Sequence, residues 1–219
     1  MRFLIASVGS NGDIHPYVGV GMALRERGHQ VGFLAQPYFE RLIRDAGLTY
    51  FQMGDLFDLA ELAHHPEMMS PWFGTVHILR GHIFPQIGAA VKAAEAAIKR
   101  FPPAAPLIDP ICFGLPWVAE RQGVPAALGA LSPLVMLSRQ DPCVYNPLGQ
   151  ATKPGWSAWL NLKIAKLGCR VIYDPPLNRW RRELGLPRGR DWFLTDLRNA
   201  SRVLGLWSPH FRGPMSDDP

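Results

Sequence analysis

The stretch FLIASVGSNGDIHP, Phe3 to Pro16, decides how this chain is read. Phe3 to Val8 is a short, mostly apolar run followed by turn-forming residues, the pattern of a strand buried on both faces of a parallel sheet. Gly9 to His15 then reads as a loop, and Pro16 suits the first turn of a helix. Met22 to Arg27 supplies good helix formers, and Gly28 can take the left-handed conformation that closes a helix. Two glycines around small polar residues, Gly9-Ser10-Asn11-Gly12-Asp13, let backbone N–H groups approach a ligand at a helix entrance, although an ordinary strand-to-helix turn has the same composition.

Working outward, the unit repeats. Val31 to Ala35 reads as a second strand, Pro37 to Ala46 as a second helix closed by Gly47, and Leu48 to Gln52 as a third strand. Apolar residues from Trp72 to Lys99 recur at steps of three or four, which predicts a long helix that Pro85 kinks or divides. Leu107-Ile108 is a short strand ending at Asp109-Pro110. A helix over Leu115 to Gln122, Gly123 and a strand over Ala126 to Ala130 complete a further unit. Ser132 to Pro154 is rich in proline and expected to be irregular. Amphipathic helices follow after Gly155 and over Pro175 to Leu184, and Arg202 to Leu206 supplies a last strand. Such alternation implies an α/β fold: a Rossmann-like parallel sheet with right-handed crossovers and helices on both faces. Ligands of these sheets bind beyond the C-terminal strand ends, which puts Gly9 to His15 on the functional rim.

The 219 residues carry 23 Lys and Arg against 18 Asp and Glu, a net charge of +5 that favours anionic partners without choosing among them. Cys112, Cys143 and Cys169 are widely separated and form neither a CxxC pair nor a zinc-ligand spacing, so a reducing, cytoplasmic setting is expected. The Phe3 to Val8 run is too short for the core of a secretion signal, and no stretch approaches the roughly 20 apolar residues of a spanning helix. Any membrane contact is expected to be peripheral. His64-His65, His77 and His82 lack carboxylate or cysteine partners at metal-ligand spacing, and packing is the expected role for them. Arg179, Arg181 and Arg182 flank Trp180 in a basic run, for which a solvated helix face is the expectation. No nucleic-acid fold signature accompanies the run.

The glycine stretch is not a P-loop, since no Gly-Lys-Ser/Thr follows. Nor is it a dinucleotide fingerprint: the glycines stand at 9 and 12, and the second strand ends Phe33-Leu34-Ala35-Gln36 without an acidic ribose ligand. The longer string is more specific. GSNGDIHP over Gly9 to Pro16, ALRERGHQV over Ala23 to Val31, then Phe39 and Ala46-Gly47-Leu48, resemble the start of GT-B glycosyltransferases of the sterol glucosyltransferase, glycopeptide glucosyltransferase and rhamnolipid rhamnosyltransferase type, the family 28 N-terminal domain. Asp109-Pro110, GVPA over Gly123 to Ala126, and PPLNRWRRELGLP over Pro175 to Pro187 extend the resemblance over nearly the whole chain.

The resemblance implies the N-terminal, acceptor-binding half of a GT-B enzyme over residues 1–207. Residues 208–219 would open the interdomain linker, and the donor-binding half would lie outside the chain. It implies inverting transfer of a hexosyl group from a nucleotide sugar to a hydroxyl of a lipid-like or other apolar acceptor, with no cofactor or metal. The isolated chain would then be inactive. Many relatives place a histidine base three residues before a proline in this loop, whereas the sterol and glycopeptide branch has aspartate there. Asp13, three residues before Pro16, is thus the candidate base. A carboxylate with a reference pKa of about 3.9 is ionised at neutral pH and can accept the hydroxyl proton, but an aspartate here also serves as a helix cap. His15 is the rival base, and acceptor contact or capping is its expected role. Asp109 matches the acid that orients the histidine in plant-type relatives. Beside an aspartate base that logic is lost, because neighbouring carboxylates push one another toward protonation. Asp109 is therefore expected either to hold the Asp-Pro turn or to support the catalytic residue. Ser10, Asn11 and Gly12 are expected to meet the donor diphosphate, and Trp72 and Phe73, with His15, the acceptor. A different class of function, a non-catalytic domain that binds a lipid-like ligand or a partner chain, is the alternative.

Overall fold

The computed structural model describes residues 1–55, 66, 70, 74–102, 105–136, 138, 140, 155–191 and 200–218. A six-stranded sheet organises them: β1 (Arg2–Ala6), β2 (Gln30–Ala35), β3 (Thr49–Gln52), β4 (Ala105–Ile108), β5 (Ala127–Ala130) and β6 (Arg202–Gly205). Every pairing is parallel, and the spatial order is β3-β2-β1-β4-β5-β6. Strand order reverses between β1 and β4, so the crevice beyond their C-terminal ends is where such a sheet receives ligands.

Side-chain alternation sorts the core into two layers. Leu4 and Ala6 of β1, Leu34 of β2 and Ile108 of β4 belong to one apolar cluster. Ile5, Val31, Phe33, Ala35 and Leu107 belong to the other. Successive residues of a strand point to opposite faces, so short central strands that are apolar throughout must be covered on both. Helix α1 (Asn11–Glu26) and α2 (Glu40–Asp45), the latter entered through a 3₁₀ turn at Pro37–Phe39, place Ile14, Tyr17, Val18 and Ile43 on the second cluster. Beyond α3 (Gly74–Ile78), α4 (Ile87–Arg100) and α5 (Leu115–Gln122) supply Ile87, Val91, Ala94, Trp117 and Val118 to the first. Helices α6 (Trp156–Ile172) and α7 (Asp174–Glu183) follow before β6. Among the described residues, no helix is long and apolar enough to cross a membrane.

Three expectations change. The segment Gly9 to His15 is mostly helix: α1 begins at Asn11 and carries Pro16 inside it. Ser10 is the N-cap, and the Asp13 carboxylate reaches back to its N–H, so the capping box starts the helix ahead of the proline. The long helix, whose proposed start at Trp72 lies outside the described residues, is broken around Pro85: Leu79–Ile83 is π-helical and Phe84–Gln86 is 3₁₀ before α4 resumes. Proline has no N–H to give, and its ring crowds the carbonyl four residues earlier. Finally, Arg181 is not on a solvated face. It is 2% exposed, its guanidinium is bidentate to Glu120 at 2.6 and 2.9 Å, and its Nε donates to the Pro187 carbonyl. Its neighbours Arg179 and Arg182 are exposed, and Trp180 closes over Gly88 of α4. In the proline-rich stretch, Pro133–Met136 forms a short 3₁₀ turn, and residues 141–154 lie outside the description.

Candidate functional site

Backbone bonds extend the ladder past the strand ends. Ser7 N–H donates to Leu34 O, Asp109 N–H to Ala6 O, and Met53 N–H to Ala35 O. These bonds bring Ser7 to Gly9, Gln36, Met53 and Asp109 to one rim.

Gly9 turns the chain from β1 into α1 with φ +129°, a conformation that favours glycine. A Cβ there would stand 2.4 Å from Asp13 Oδ2, so the carboxylate occupies the space a side chain would need. That same oxygen accepts the Ser10 N–H at 2.7 Å and the Ser10 hydroxyl at 2.9 Å. Among the described residues, Oδ1 takes no hydrogen bond. Asp13 is half-buried, with one oxygen held and the other open. The capping role and the presentation of a carboxylate at the rim are thus properties of one residue.

Beneath it lies Asp109, 4% exposed. Its Oδ1 accepts the Ile111 N–H at 2.9 Å, which holds the Asp-Pro turn, and its Oδ2 faces the Ser7 hydroxyl at 3.3 Å. Burial pushes its carboxyl up to about 7; the Asp13 charge adds to the rise, while bonds from the Ile111 N–H, Ser7 and Tyr17 oppose it. The mutual effect of neighbouring carboxylates therefore acts on Asp109, the deeper of the two. The Ser7 hydroxyl also stands 3.2 Å from the Asp13 carbonyl, and with one proton it serves only one acceptor at a time. When Asp109 is protonated it can donate to Ser7, and Ser7 can then donate to the backbone of Asp13. Tyr17 completes the buried chain. Its hydroxyl, with one proton, donates either to Gly129 O or to Asp109, and burial, then the Asp109 charge, push its own ionisation well above the ordinary range.

The other candidates are placed as follows. Ser10, Asn11 and Gly12 are exposed at the N-terminus of the 16-residue α1, where first-turn N–H groups have no partner within the helix. Both the N–H and the hydroxyl of Ser10 are engaged by Asp13, so Asn11 and Gly12 are the members of the trio with donors to offer. His15 is exposed on α1, one residue beyond the buried Ile14. Trp72 and Phe73, proposed for the acceptor, lie outside the described residues, as do His64 and His65.

Three rim residues carry no motif. Ser7 is the one hydroxyl in the β1 run, Tyr17 passes as an ordinary core aromatic, and Gln36 was notable only for not being acidic. Gln36 and Val8 line a narrow recess with Met53, Ile83, Ile87 and Phe113, whose cavity volume is about 20 Å³, room for about one water before it opens to solvent.

No family model matches the chain. The chain is 25% identical over 188 residues to UDP-sugar-dependent glycosyltransferase 52 of Dictyostelium discoideum, a match covering 84% of this chain and 11% of that protein. It is 25% identical over 231 residues to 4'-demethylrebeccamycin synthase of Lentzea aerocolonigenes, covering 100% of this chain and 54% of the other. Among solved structures, the glycotransferase of kitacinnamycin matches with a TM-score of 0.62 at 17% identity, over 100% of this chain and 49% of that one. The chain thus spans about half, or much less, of the proteins it matches. Its sequence relatives and structural neighbours are GT-B glycosyltransferases, and its fold is that of their N-terminal domain.

Proposed function

We propose that this chain is the acceptor-binding part of a glycosyltransferase that moves a hexosyl group from a nucleotide sugar to a hydroxyl of an apolar acceptor, with inversion and with Asp13 as the general base. The observation that carries the reading is the Asp13 carboxylate at the C-terminal rim of the sheet, fixed through Oδ2 by Ser10 and open at Oδ1. The name of the Dictyostelium relative supports sugar transfer from a nucleotide-sugar donor.

In this reading the acceptor oxygen attacks the anomeric carbon as its proton passes to Asp13 Oδ1, and the nucleoside diphosphate leaves with the electrons of the broken bond. Ser10 keeps the carboxylate aimed at the rim, so little reorganisation accompanies proton transfer. The free N–H groups of Asn11 and Gly12 and the positive end of α1 suit the charge that develops on the leaving diphosphate. Asp109 supports the loop from below through Ser7. A donor-binding domain, in the same or another chain, grips the nucleotide; without it the chain holds one wall of the cleft and does not turn over. Exposed Trp156 and Trp159 at the start of α6 suit a peripheral membrane contact during capture of a lipid-like acceptor.

The test is Asp13→Asn in the chain joined to a compatible donor domain. Transfer is expected to fall about 10²- to 10⁴-fold, the usual scale for removing a general base, with unchanged folding by circular dichroism. An unchanged rate, with activity abolished instead by His15→Ala, would move the base to His15.

A further inference from the structure

The recess beside Asp13 holds a buried polar group that bonds nothing among the described residues. Gln36 directly follows β2 and is 4% exposed, and among the described residues its Nε2 is a buried side-chain donor without a partner. Its orientation is set from the other side: the Gly9 N–H donates to Oε1 at 3.4 Å, and turning the amide over would set donor against donor. The N–H₂ group therefore stands among Val8, Met53, Ile83, Ile87 and Phe113. Buried donors are almost always satisfied, and this one, sealed behind the wall of an apolar recess, can take an incoming acceptor atom once the side chains covering it shift.

Gly9 ties this recess to the candidate base, because its N–H meets the Gln36 amide and its missing side chain leaves room for the Asp13 carboxylate. We propose that Gln36 is a specificity-determining residue, whose amide donates to a neutral ketone or ether oxygen carried by the apolar acceptor near the hydroxyl to be glycosylated. The inference rests on the reading of Asp13 as the base for its assignment to the acceptor. Charge selects in the same direction. Asp55 lines the recess and is exposed, so its carboxylate disfavours an anionic acceptor. The Asp55 N–H itself is engaged with Gln86 Oε1 at 3.2 Å, so the side-chain donors of the recess are the amides of Gln36, which is buried, and of Gln86, which is half-buried nearer the mouth.

The 219-residue chain is titrated calorimetrically with 7-hydroxy-1-tetralone and with 5,6,7,8-tetrahydro-2-naphthol, which lacks only the ketone oxygen. The ketone is expected to bind about tenfold more tightly, the scale of one added hydrogen bond. The side-chain N–H₂ resonances of Gln36 should shift with the ketone and not with its partner. In Gln36→Met, which keeps the length and removes the donor, ketone affinity should fall to that of the naphthol while naphthol affinity holds. Equal affinities in the unsubstituted chain, binding of neither probe, a ketone preference that survives Gln36→Met, or unmoved Gln36 resonances at saturation would each overturn the proposal. If Gln36→Met does not fold, the resonances of the unsubstituted chain decide. Because the readout is binding, a joined enzyme that transfers sugar without Asp13 would remove the catalytic reading and leave this result standing.

Discussion

Replacing Asp109 by asparagine isolates the buried carboxyl beneath the candidate base. The side chain keeps its shape, its Oδ1 can still accept the Ile111 N–H, and its new amide can donate where a protonated carboxyl would. In the folded chain the Asp109 carboxyl titrates at about 7, against 3.8 for the free side chain. A raised carboxylate value means that the folded state holds the proton more tightly than the unfolded state. Stability from this group is therefore fully present below pH 4 and is lost as pH rises toward 7. Integrating between those two values gives a loss of about 3–4 kcal/mol from pH 4 to pH 7.5. In Asp109→Asn the proton is gone from both states and this part of the pH dependence vanishes. Urea unfolding of both proteins at pH 4, 5.5 and 7.5 checks it, because the other groups titrate alike in the two and cancel in the difference. The asparagine variant should gain on the unsubstituted chain by about 3–4 kcal/mol across that range. Parallel stability curves would refute the reasoning and mean that Asp109 is ionised throughout.

Two further outcomes test the frame of the site. Gly9→Ala should destabilise the fold by about 1–3 kcal/mol, since φ +129° is strained for alanine and its methyl displaces the Asp13 carboxylate; thermal unfolding measures the first effect, and loss of transfer in the joined enzyme the second. Arg181→Ala empties a buried site and returns the exposed Glu120 carboxylate to water while leaving the Pro187 carbonyl without its partner, and urea unfolding should show a loss of about 1–3 kcal/mol.

What the chain says of its own fold is mostly local. β1, β2 and the exact span of α5 can be read because apolar runs end at glycine or proline, and Gly28, Gly47 and Gly123 adopt the positive φ that closes a helix or its turn. The start of α1 was legible in Ser10 and Asp13 as a capping pair, yet Pro16 competes as a helix opener and draws attention downstream. The site is legible only where a motif concentrates it. Asp13 stands in such a motif, and the Asp-Pro turn points to Asp109. Ser7, Tyr17 and Gln36 act through partners far along the chain, as in the bond between Tyr17 and Gly129, and spacing carries no trace of such a contact. Arg181 misleads for the same reason: its partner Glu120 is 61 residues away.

The central place of β1 also governs the order in which the molecule can be assembled as it leaves the ribosome. The first three strands, with α1 and α2, can form a half-sheet covered on one side as soon as Gln52 is made. Its other side, with Leu4, Ala6 and Leu34, lacks its described helical cover until Leu79, Ile83, Phe84 and the residues of α4 arrive, and β1 waits longer still for β4 at Ala105–Ile108. For that interval a nascent chain exposes an apolar surface beside an unpaired strand edge, the combination that promotes aggregation. Slowing synthesis before Leu79 would lengthen this exposure, whereas a pause once Ile108 has emerged would let the central sheet close.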